Sequence, residues 1–521
     1  MSENKTSTPG VARAAGTVML AFFLSQLAGL AAKILIGRNF TANDVDAFLA
    51  ANRPSEALVF VMTGGIFVSS FIPIFVKYLV REDRQSAWKL ASATANLILL
   101  GMTTLAGILV FLAPPIVKYS LAAWFPSAKQ ALTIDLLRIQ AISIIFFSLS
   151  GLIIGILNSH KKFLLSALAP AMYQVGQIFG AVVLGPSLGI YGLAWGVVIG
   201  SILNLLIQLP GLLRLKGHYF LTLGFHNPAV AEVIRLMGPR MFGAAVVQLM
   251  VWVNTLLASR SEGAVYALSY GFSLMMVAQI AIAQSVATAV MPTFSTYFAE
   301  GRLDRIRTTL SSAIRAELLL SFPATAGLIV LSLPIVAFLY QRGEFTAETT
   351  RMVAWALVWY TTGLVFHSIY EVLVRAYYSM HDTKTPVIVG AAAMTLSIIL
   401  SLLFSSLFST LGWLSHGGLA LAVSVSTALE VTTLLIIMQK RLQGLEGTAI
   451  LKALKSASIA TLVMVAVLLL WVRFIPKSSD VFVALGGVTL GLVSYGLMLL
   501  LLRVPEVKTL IAKMLSKLNR A

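Results

Sequence analysis

Lys33 interrupts an apolar run that extends from about residue 16 to residue 37. A cation at mid-membrane costs about 2.5–3.5 kcal/mol on insertion scales and is normally turned toward a partner or a wet cavity. At 100° per residue, Gln26, Gly29, Lys33 and Gly37 fall within about an 80° arc of one helix. A stripe this small and polar faces protein or water, not lipid. It offers contact with an anion such as a phosphate; a lysine paired with a neighbouring carboxylate, or snorkelling outward, gives the same pattern. Lys33 is the only Lys or Arg that this reading places inside the membrane core.

Asp46, Arg53 and Glu56 cluster at the start of the next apolar run. They can gate a cavity by ion pairing, or form a solvated loop whose pairs are worth little. Further along, His367, Glu371 and Arg375 are spaced i, i+4, i+8 on one helical face, and Glu430 lies in another span. Carboxylates inside a bundle relay protons or bind sodium, which makes His367, Glu371 and Glu430 candidates for a coupling ion. The plainer reading of the first set is a structural Glu371–Arg375 pair. No G-x-x-x-x-G-K-[ST] and no H-E-x-x-H occurs, and the six histidines are scattered. Nothing resembles a nucleophile with its base, so neither an enzyme nor an ATP-driven pump is indicated. No cofactor and no metal site is expected.

The elements that must position these residues follow from composition. Hydrophobic residues make up 58% of the 521, charged residues 11%, and the mean hydropathy is +0.90. A soluble domain has roughly 25% charged residues, so the chain reads as a multi-pass membrane protein. Fourteen apolar stretches of about 20 residues can be placed, the first at 16–37, the second at 55–79 and the last at 481–502. The polar N-terminus precedes a span too long for a signal-peptide core, so no cleavage is expected. Cysteine is absent, which removes disulfides and thiolate metal sites.

The net charge of +18 invites a nucleic-acid reading that its distribution opposes. Taking loops on alternate sides from the N-terminus, one side holds 27 Lys and Arg and the other 10; Lys33 completes the 38. This is the positive-inside bias, and it places both termini in the cytoplasm.

Short segments recur at a nearly constant offset. Ser70-Phe71-Ile72-Pro73-Ile74-Phe75 is echoed by Ala289-Val290-Met291-Pro292-Thr293-Phe294, Gly192-Leu193-Ala194 by Gly418-Leu419-Ala420, and Asn158-Ser159-His160-Lys161 by Ser379-Met380-His381-Asp382. Offsets of 219, 226 and 221 indicate a duplication of about 215 residues. Repeats this long in an apolar chain mark the halves of a transporter with the substrate site between them. Six spans per repeat is an even number, so both halves have the same orientation. The expected fold is an all-α membrane protein of about fourteen transmembrane helices: two parallel-oriented six-helix lobes around a central cavity, plus two extra C-terminal helices. The boundaries are a cytoplasmic N-terminal segment 1–15, a first lobe 16–212, an inter-lobe cytoplasmic linker 213–236, a second lobe 237–440, two further helices 441–502 and a basic amphipathic tail 503–521. The tail and the stretch Gly301 to Leu310 are expected to lie on the anionic inner leaflet.

Several stretches resemble the MurJ (MviN) family of lipid II flippases, within the larger group of multidrug and lipid-linked-oligosaccharide exporters. They are Leu339-Tyr340-Gln341-Arg342-Gly343-Glu344-Phe345-Thr346, the run from Arg375 to Pro386, Gly189 to Gly196, and Ala258-Ser259 followed by Gly263 to Tyr270. The run from Arg375 to Pro386 is the most specific, and the resemblance covers nearly all fourteen spans. It implies a flippase that moves lipid-linked peptidoglycan precursor to the outer leaflet by alternating access. A cationic cavity would take the pyrophosphate, and a groove along the last two spans the polyprenyl tail. Where the family reads S-R-x-x-G-x-x-R-D in span 1, this chain reads Ser25-Gln26-Leu27-Ala28-Gly29-Leu30-Ala31-Ala32-Lys33. The family's span 2 arginine is replaced near Val59, its glutamate before Gly65 by Gly64, and its span 8 arginine by Ser273, whereas Asp46 keeps the outer aspartate.

The resemblance and the residues together imply a flippase of a polyprenyl-pyrophosphate-linked saccharide, lipid II first. Gln26, Gly29, Lys33, Asp46, Arg53, Asn254 and Ser273 are the expected substrate-binding residues. Expected partners are the lipid-linked oligosaccharide, membrane lipids and the cell-wall synthesis machinery, with no nucleic acid; the expected location is the cell membrane. A flippase for another lipid-linked glycan, a multidrug exporter, and a transport-inactive scaffold of wall synthesis stand as alternatives.

Overall fold

A backbone without water to bond must satisfy its own polar groups, and the helix does so within one segment. The computed structural model describes residues 9–63, 66–225, 227–475 and 480–506, and these are helical with no strand among them. The helices are α1 Pro9–Asn39, α2 Ala42–Thr63, α3 Ile66–Val80, α4 Arg84–Ile116, α5 Ser127–Ala141, α6 Ser143–Ser159, α7 Phe163–Phe179, α8 Gly185–Leu188, α9 Ile190–Leu206, α10 Leu209–Leu213 and α11 Pro228–Ala258. There follow α12 Ala264–Gln279, α13 Ser285–Ala299, α14 Leu303–Val330, α15 Ser332–Tyr340, α16 Ala347–Thr361, α17 Leu364–Ser379, α18 Lys384–Thr410, α19 His416–Arg441, α20 Gly447–Phe474 and α21 Asp480–Leu501.

Among the described residues, ten helical segments are long and apolar enough to cross a membrane, and twelve when each of two bent pairs counts as one span. The two stretches left over are those read at 16–37 and 55–79. The second is divided between α2, which carries Asp44, Asp46, Arg53 and Glu56, and α3, of only 15 residues. The tail from residue 507 and the position of Gly64 lie outside the described residues.

The chain forms two units, Met1–Val265 with Arg342–Phe345, and Tyr266–Gln341 with Thr346–Ala521. In the first, Phe67, Phe71 and Phe75 of α3 stack at 5.1–5.5 Å and pack with Leu90 of α4 and Leu157 of α6. Val230 and Val233 of α11 join this core, and α11 packs on α2, α3 and α4. The segment ahead of α11 runs along α4: the Phe220 N–H donates to Ser92 Oγ at 3.1 Å, and Asn96 Nδ2 donates to the Thr222 carbonyl at 2.8 Å.

The closest helix pair in this unit is α7 with α9. A Cβ on Gly180 would lie 2.6 Å from Gly196 Cα, and one on Gly196 would lie 2.7 Å from the Gly176 carbonyl oxygen. Only glycine allows backbones this near, the device of small residues at membrane-helix contacts. In the second unit α18 packs on α19 through the buried Ser397, Ser401 and Ser405 and the buried Gly418, Ala422 and Ser426. The duplication is legible in these stripes. Gly192 abuts Leu184 and Gly185 as Gly418 abuts Phe404 and Ser405, while Gly176 and Gly180 correspond to Ser397 and Ser401. The offset therefore falls from 221 to 220 along the helix, and the π-helical turn Gly180–Leu184 absorbs the extra residue.

Pro73 and Pro292 are both exposed, and Phe75 and Phe294, two residues on, are both fully buried. One match slips by a residue. The left-handed residues that end α6 and α17 are Lys161 (φ 59°) and His381 (φ 60°), 220 apart. Each is followed by the same capping bond, Lys162 N–H to the Leu157 carbonyl and Asp382 N–H to the Tyr377 carbonyl. The geometry of the cap sets the register, pairing Lys161 with His381.

The second unit's core joins Phe294 of α13, Ile306, Leu310 and Ile314 of α14, Val372 and Tyr377 of α17, and Leu434 of α19. Ile306 and Leu310 are fully buried. This corrects the expectation that the apolar residues of Gly301 to Leu310 lie on the leaflet: Ile306 and Leu310, in the first turns of α14, are turned into the core, and only Leu303 is exposed. Helices α20 and α21 pack on α14 and α15 through Leu319, Leu331, Met464 and Leu468, and the Tyr495 hydroxyl donates to the Leu319 carbonyl at 2.7 Å.

Candidate functional site

In the first unit, α1 lies along α7. A Cβ on Gly29 would stand 3.5 Å from Gln174 Nε2, so Gly29 faces that helix, while Gln26 and Lys33 are half-buried. The charges that act on Lys33 are Glu56 and Arg53 of α2. These two pair with each other at 2.8 Å, and Asn52 Nδ2 donates to the other Glu56 oxygen at 2.8 Å. Asn52 also bonds the Tyr173 hydroxyl, which accepts from Gln177 Nε2 at 2.9 Å. Three helices thus bring Lys33, Asn52, Arg53, Glu56, Tyr173, Gln174 and Gln177 into one polar group. It holds two cationic side chains, Lys33 and Arg53, and one carboxylate, Glu56.

Asp46 does not share this place. It is fully buried, accepts from Lys129 Nζ at 2.9 Å and from the Gly263 N–H at 2.6 Å. Lys129 is itself 5% exposed and sits 4.1 Å from the Phe125 ring centroid. Lys129, in the first turn of α5, is thus withdrawn from solvent by its pair with an aspartate on another helix. Asn254 on α11 is 9% exposed, and its Oδ1 has no hydrogen-bond partner among the described residues.

The second unit holds the other expected residues apart. Ser273, half-buried on α12, donates to the Ser269 carbonyl at 2.7 Å. Glu371 accepts from Arg375 on its own helix, from Gln284 Nε2 at 3.1 Å and from Gln279 Nε2 at 3.5 Å. Arg375 also donates to Gln284 Oε1 at 2.7 Å. Gln284 closes the π-helical turn Ile280–Gln284 that joins α12 to α13, so the network ties that turn to α17. His367 turns instead to Thr427 of α19, at 3.4 Å. Glu430, 4% exposed, bonds the Tyr370 hydroxyl.

Sequence reasoning missed Tyr173, Gln174 and Gln177, whose i, i+1, i+4 spacing in an apolar span was the available signal. It also missed Lys129, whose partner is 83 residues away, and Glu317, which stands near the end of a span where a charge passes as a boundary.

The family profile described as lipid II flippase MurJ matches residues 37–488. A lipid II flippase MurJ of Burkholderia cenocepacia is 30% identical over 439 residues, covering 82% of this chain and 84% of that protein. A probable lipid II flippase MurJ of Vibrio cholerae is 30% identical over 425 residues, 79% of each. Among solved structures, a lipid II flippase MurJ in an inward closed conformation matches with a TM-score of 0.79 and 25% identity, covering 92% of this chain and 97% of that one. An inward-facing multidrug resistance MATE transporter of the MOP superfamily shares the fold, with a TM-score of 0.68 at 14% identity, covering 80% and 94%.

Proposed function

Because the chain belongs to the MurJ family of lipid II flippases, we propose that it carries a polyprenyl-pyrophosphate-linked saccharide, lipid II first, from the inner to the outer leaflet by alternating access. The observation that supports the reading is the polar group that Lys33, Asn52, the Arg53–Glu56 pair, Tyr173 and Gln177 form where α1, α2 and α7 meet. A pyrophosphate needs fixed cations to leave water, and one lysine–phosphate contact at 4 Å is worth about 4 kcal/mol at an effective dielectric near 20. Lys33 is the anion contact, with Gln26, Arg53, Asn254 and Ser273 as further polar contacts. The polyprenyl chain stays in lipid against α20 and α21. Loop charge puts both termini in the cytoplasm of a protein of the cell membrane.

The residues at which this chain departs from its family, Gln26, Ala32, Lys33 and Ser273, favour a second reading in which the glycan differs from that of lipid II. The test is complementation of a strain depleted of its own lipid II flippase. Rescue by the wild type, its loss in Lys33→Ala and partial retention in Lys33→Arg are expected. A wild type that fails to rescue while present in the membrane overturns lipid II as the cargo, and full rescue by Lys33→Ala removes Lys33 from the site.

A further inference from the structure

Four aromatic rings gather at one end of the second unit. Trp355 and Trp359 of α16, Phe408 of α18 and Trp413 in the turn before α19 lie 5.0–6.2 Å apart, centroid to centroid. The cluster fixes that turn against α16. Trp355 Nε1 donates to the Leu414 carbonyl at 3.1 Å, the Trp413 N–H donates to the Phe408 carbonyl at 2.8 Å, and His416 Nε2 lies 3.0 Å from the Met352 carbonyl. Gly412 brings the chain round at a left-handed φ of 74°. Gly417 leaves room for the Trp355 ring, which a methyl group there would strike.

Against this wall lies a cavity of about 470 Å³, lined by Leu333 of α15, Arg351, Trp355 and Val358 of α16, and Trp413 and Leu414 of the turn. Its volume falls within the ~300–1,000 Å³ of small-molecule sites. The place is a membrane boundary, since α14 has just ended, α15 and α16 begin, and α18 turns back into α19. Tryptophan favours that level, where its ring meets hydrocarbon and its N–H the headgroups. Arg351 is the one charged residue of the lining. It is exposed, and no ion pair among the described residues includes it or its neighbour Glu348, one turn earlier. A guanidinium at the rim of an apolar cavity at headgroup level calls for an anion carried on an apolar stem. Its planar fork matches two phosphate oxygens at once. A partner helix of apolar side chains would cover the tryptophans and leave the guanidinium unanswered.

We propose that this cavity binds the head and upper chain of an anionic phospholipid, with its phosphate on Arg351 and its first methylenes against Trp355, Val358 and Trp413. Basic pockets between membrane helices hold anionic headgroups in this way. The lipid ties α15, α16 and the α18–α19 turn together through one bound molecule. The binding is independent of the flippase reading, because none of these residues belongs to the polar group at Lys33 or to α20 and α21. The leaflet, the outer one, follows from the orientation that loop charge gives.

The test reads the tryptophan fluorescence of the purified full chain in phosphatidylcholine nanodiscs. Phosphatidylglycerol or phosphatidylcholine, each brominated on an acyl chain, is titrated in, and bromine quenches only the rings it touches. In the wild type, the brominated phosphatidylglycerol should reach half its quenching at an about fivefold lower mole fraction, the effect of one cation at a membrane surface. Arg351→Gln should bring the two lipids level, and Arg351→Lys should keep part of the difference. Trp413→Phe should remove the selective part of the quenching while keeping a ring in the cluster. Lys118→Gln, which removes an exposed cation of the first unit, should change neither titration. Equal quenching by the two lipids in the wild type, or a selectivity that persists in Arg351→Gln, overturns the site. A Trp413 contribution, wild type less Trp413→Phe, that neither lipid quenches also overturns it and gives the cavity to a protein partner.

Discussion

Lys33 and Asp46 lie 13 residues apart on successive helices and serve different ends. Lys33 stands beside the Arg53–Glu56 pair in a polar group built by three helices, whereas Asp46 is consumed by Lys129 and the Gly263 N–H. Removing one partner of a buried ion pair leaves an uncompensated charge and costs about 3–5 kcal/mol. Asp46→Asn and Lys129→Met should each lower the melting temperature of the purified chain clearly, and the double variant Asp46→Leu/Lys129→Met should be the less damaged. A double loss equal to the sum of the two single losses would show that the pair is not a unit. A second expectation concerns Asp382, in the turn between α17 and α18. Burial alone would raise its pKa, but the Thr385 N–H and hydroxyl and the Arg441 guanidinium outweigh it and hold the carboxyl at about 2, against 3.8 in the unfolded chain. A depressed folded pKa stabilises above the unfolded value, so the stabilisation is whole above about pH 4 and is lost as pH falls toward 2. Arg441→Ala should flatten the melting temperature over that window, and an unaltered acid slope would remove Arg441 as the cause. Lys33 was legible in the sequence because a cation inside an apolar run breaks the pattern. The Asp46–Lys129 pair was not, because pairing across 83 residues depends on how helices pack.

At the scale of elements, the duplication was legible as repeated short segments, and the packed stripes give it a physical basis. Glycines of α7 and α9 and serines, glycine and alanine of α18 and α19 solve one problem, close helix approach without lipid-facing cost, with different side chains. The π-helical turn Gly180–Leu184 was not legible, because one inserted residue leaves the hydrophobic pattern nearly unchanged. Gly196→Ala puts a methyl group 2.7–2.8 Å from backbone atoms of Gly176 and Gly180, which cannot move as a side-chain end can. Gly101 is exposed on α4 with nothing within 4 Å of its Cβ position. Gly196→Ala should therefore destabilise by about 1–3 kcal/mol, as overpacking does, while Gly101→Ala should be neutral or stabilising by up to about 1 kcal/mol. Melting of the two variants side by side decides it, and an equal response would mean that α7 and α9 separate readily.

For the whole molecule, alternating access demands that residues lining the transport path be reachable from each face in turn, never from both at once. The sequence contains no cysteine, so single cysteines at positions 29, 33 and 273 report without background. Lys33 and Ser273 are half-buried, one in each unit, and neither is sealed in a core. Gly29 stands against Gln174, and a methyl there meets only ordinary contact at 3.5 Å, whereas a leucine must displace the glutamine. Gly29→Leu should consequently bias the chain toward one state while it still folds, and the labelling of position 33 should then come from one face only. In the chain with Gly29 intact, membrane-impermeant reagents should reach positions 33 and 273 from both faces in separate experiments, with the balance shifting when lipid-linked substrate is added. Labelling confined to one face under every condition would sink alternating access and favour a static membrane component of wall synthesis. A melting temperature for Gly29→Leu far below that of Gly29→Ala would show instead that α1 and α7 form a fixed structural pair, and that the mobile contact lies elsewhere.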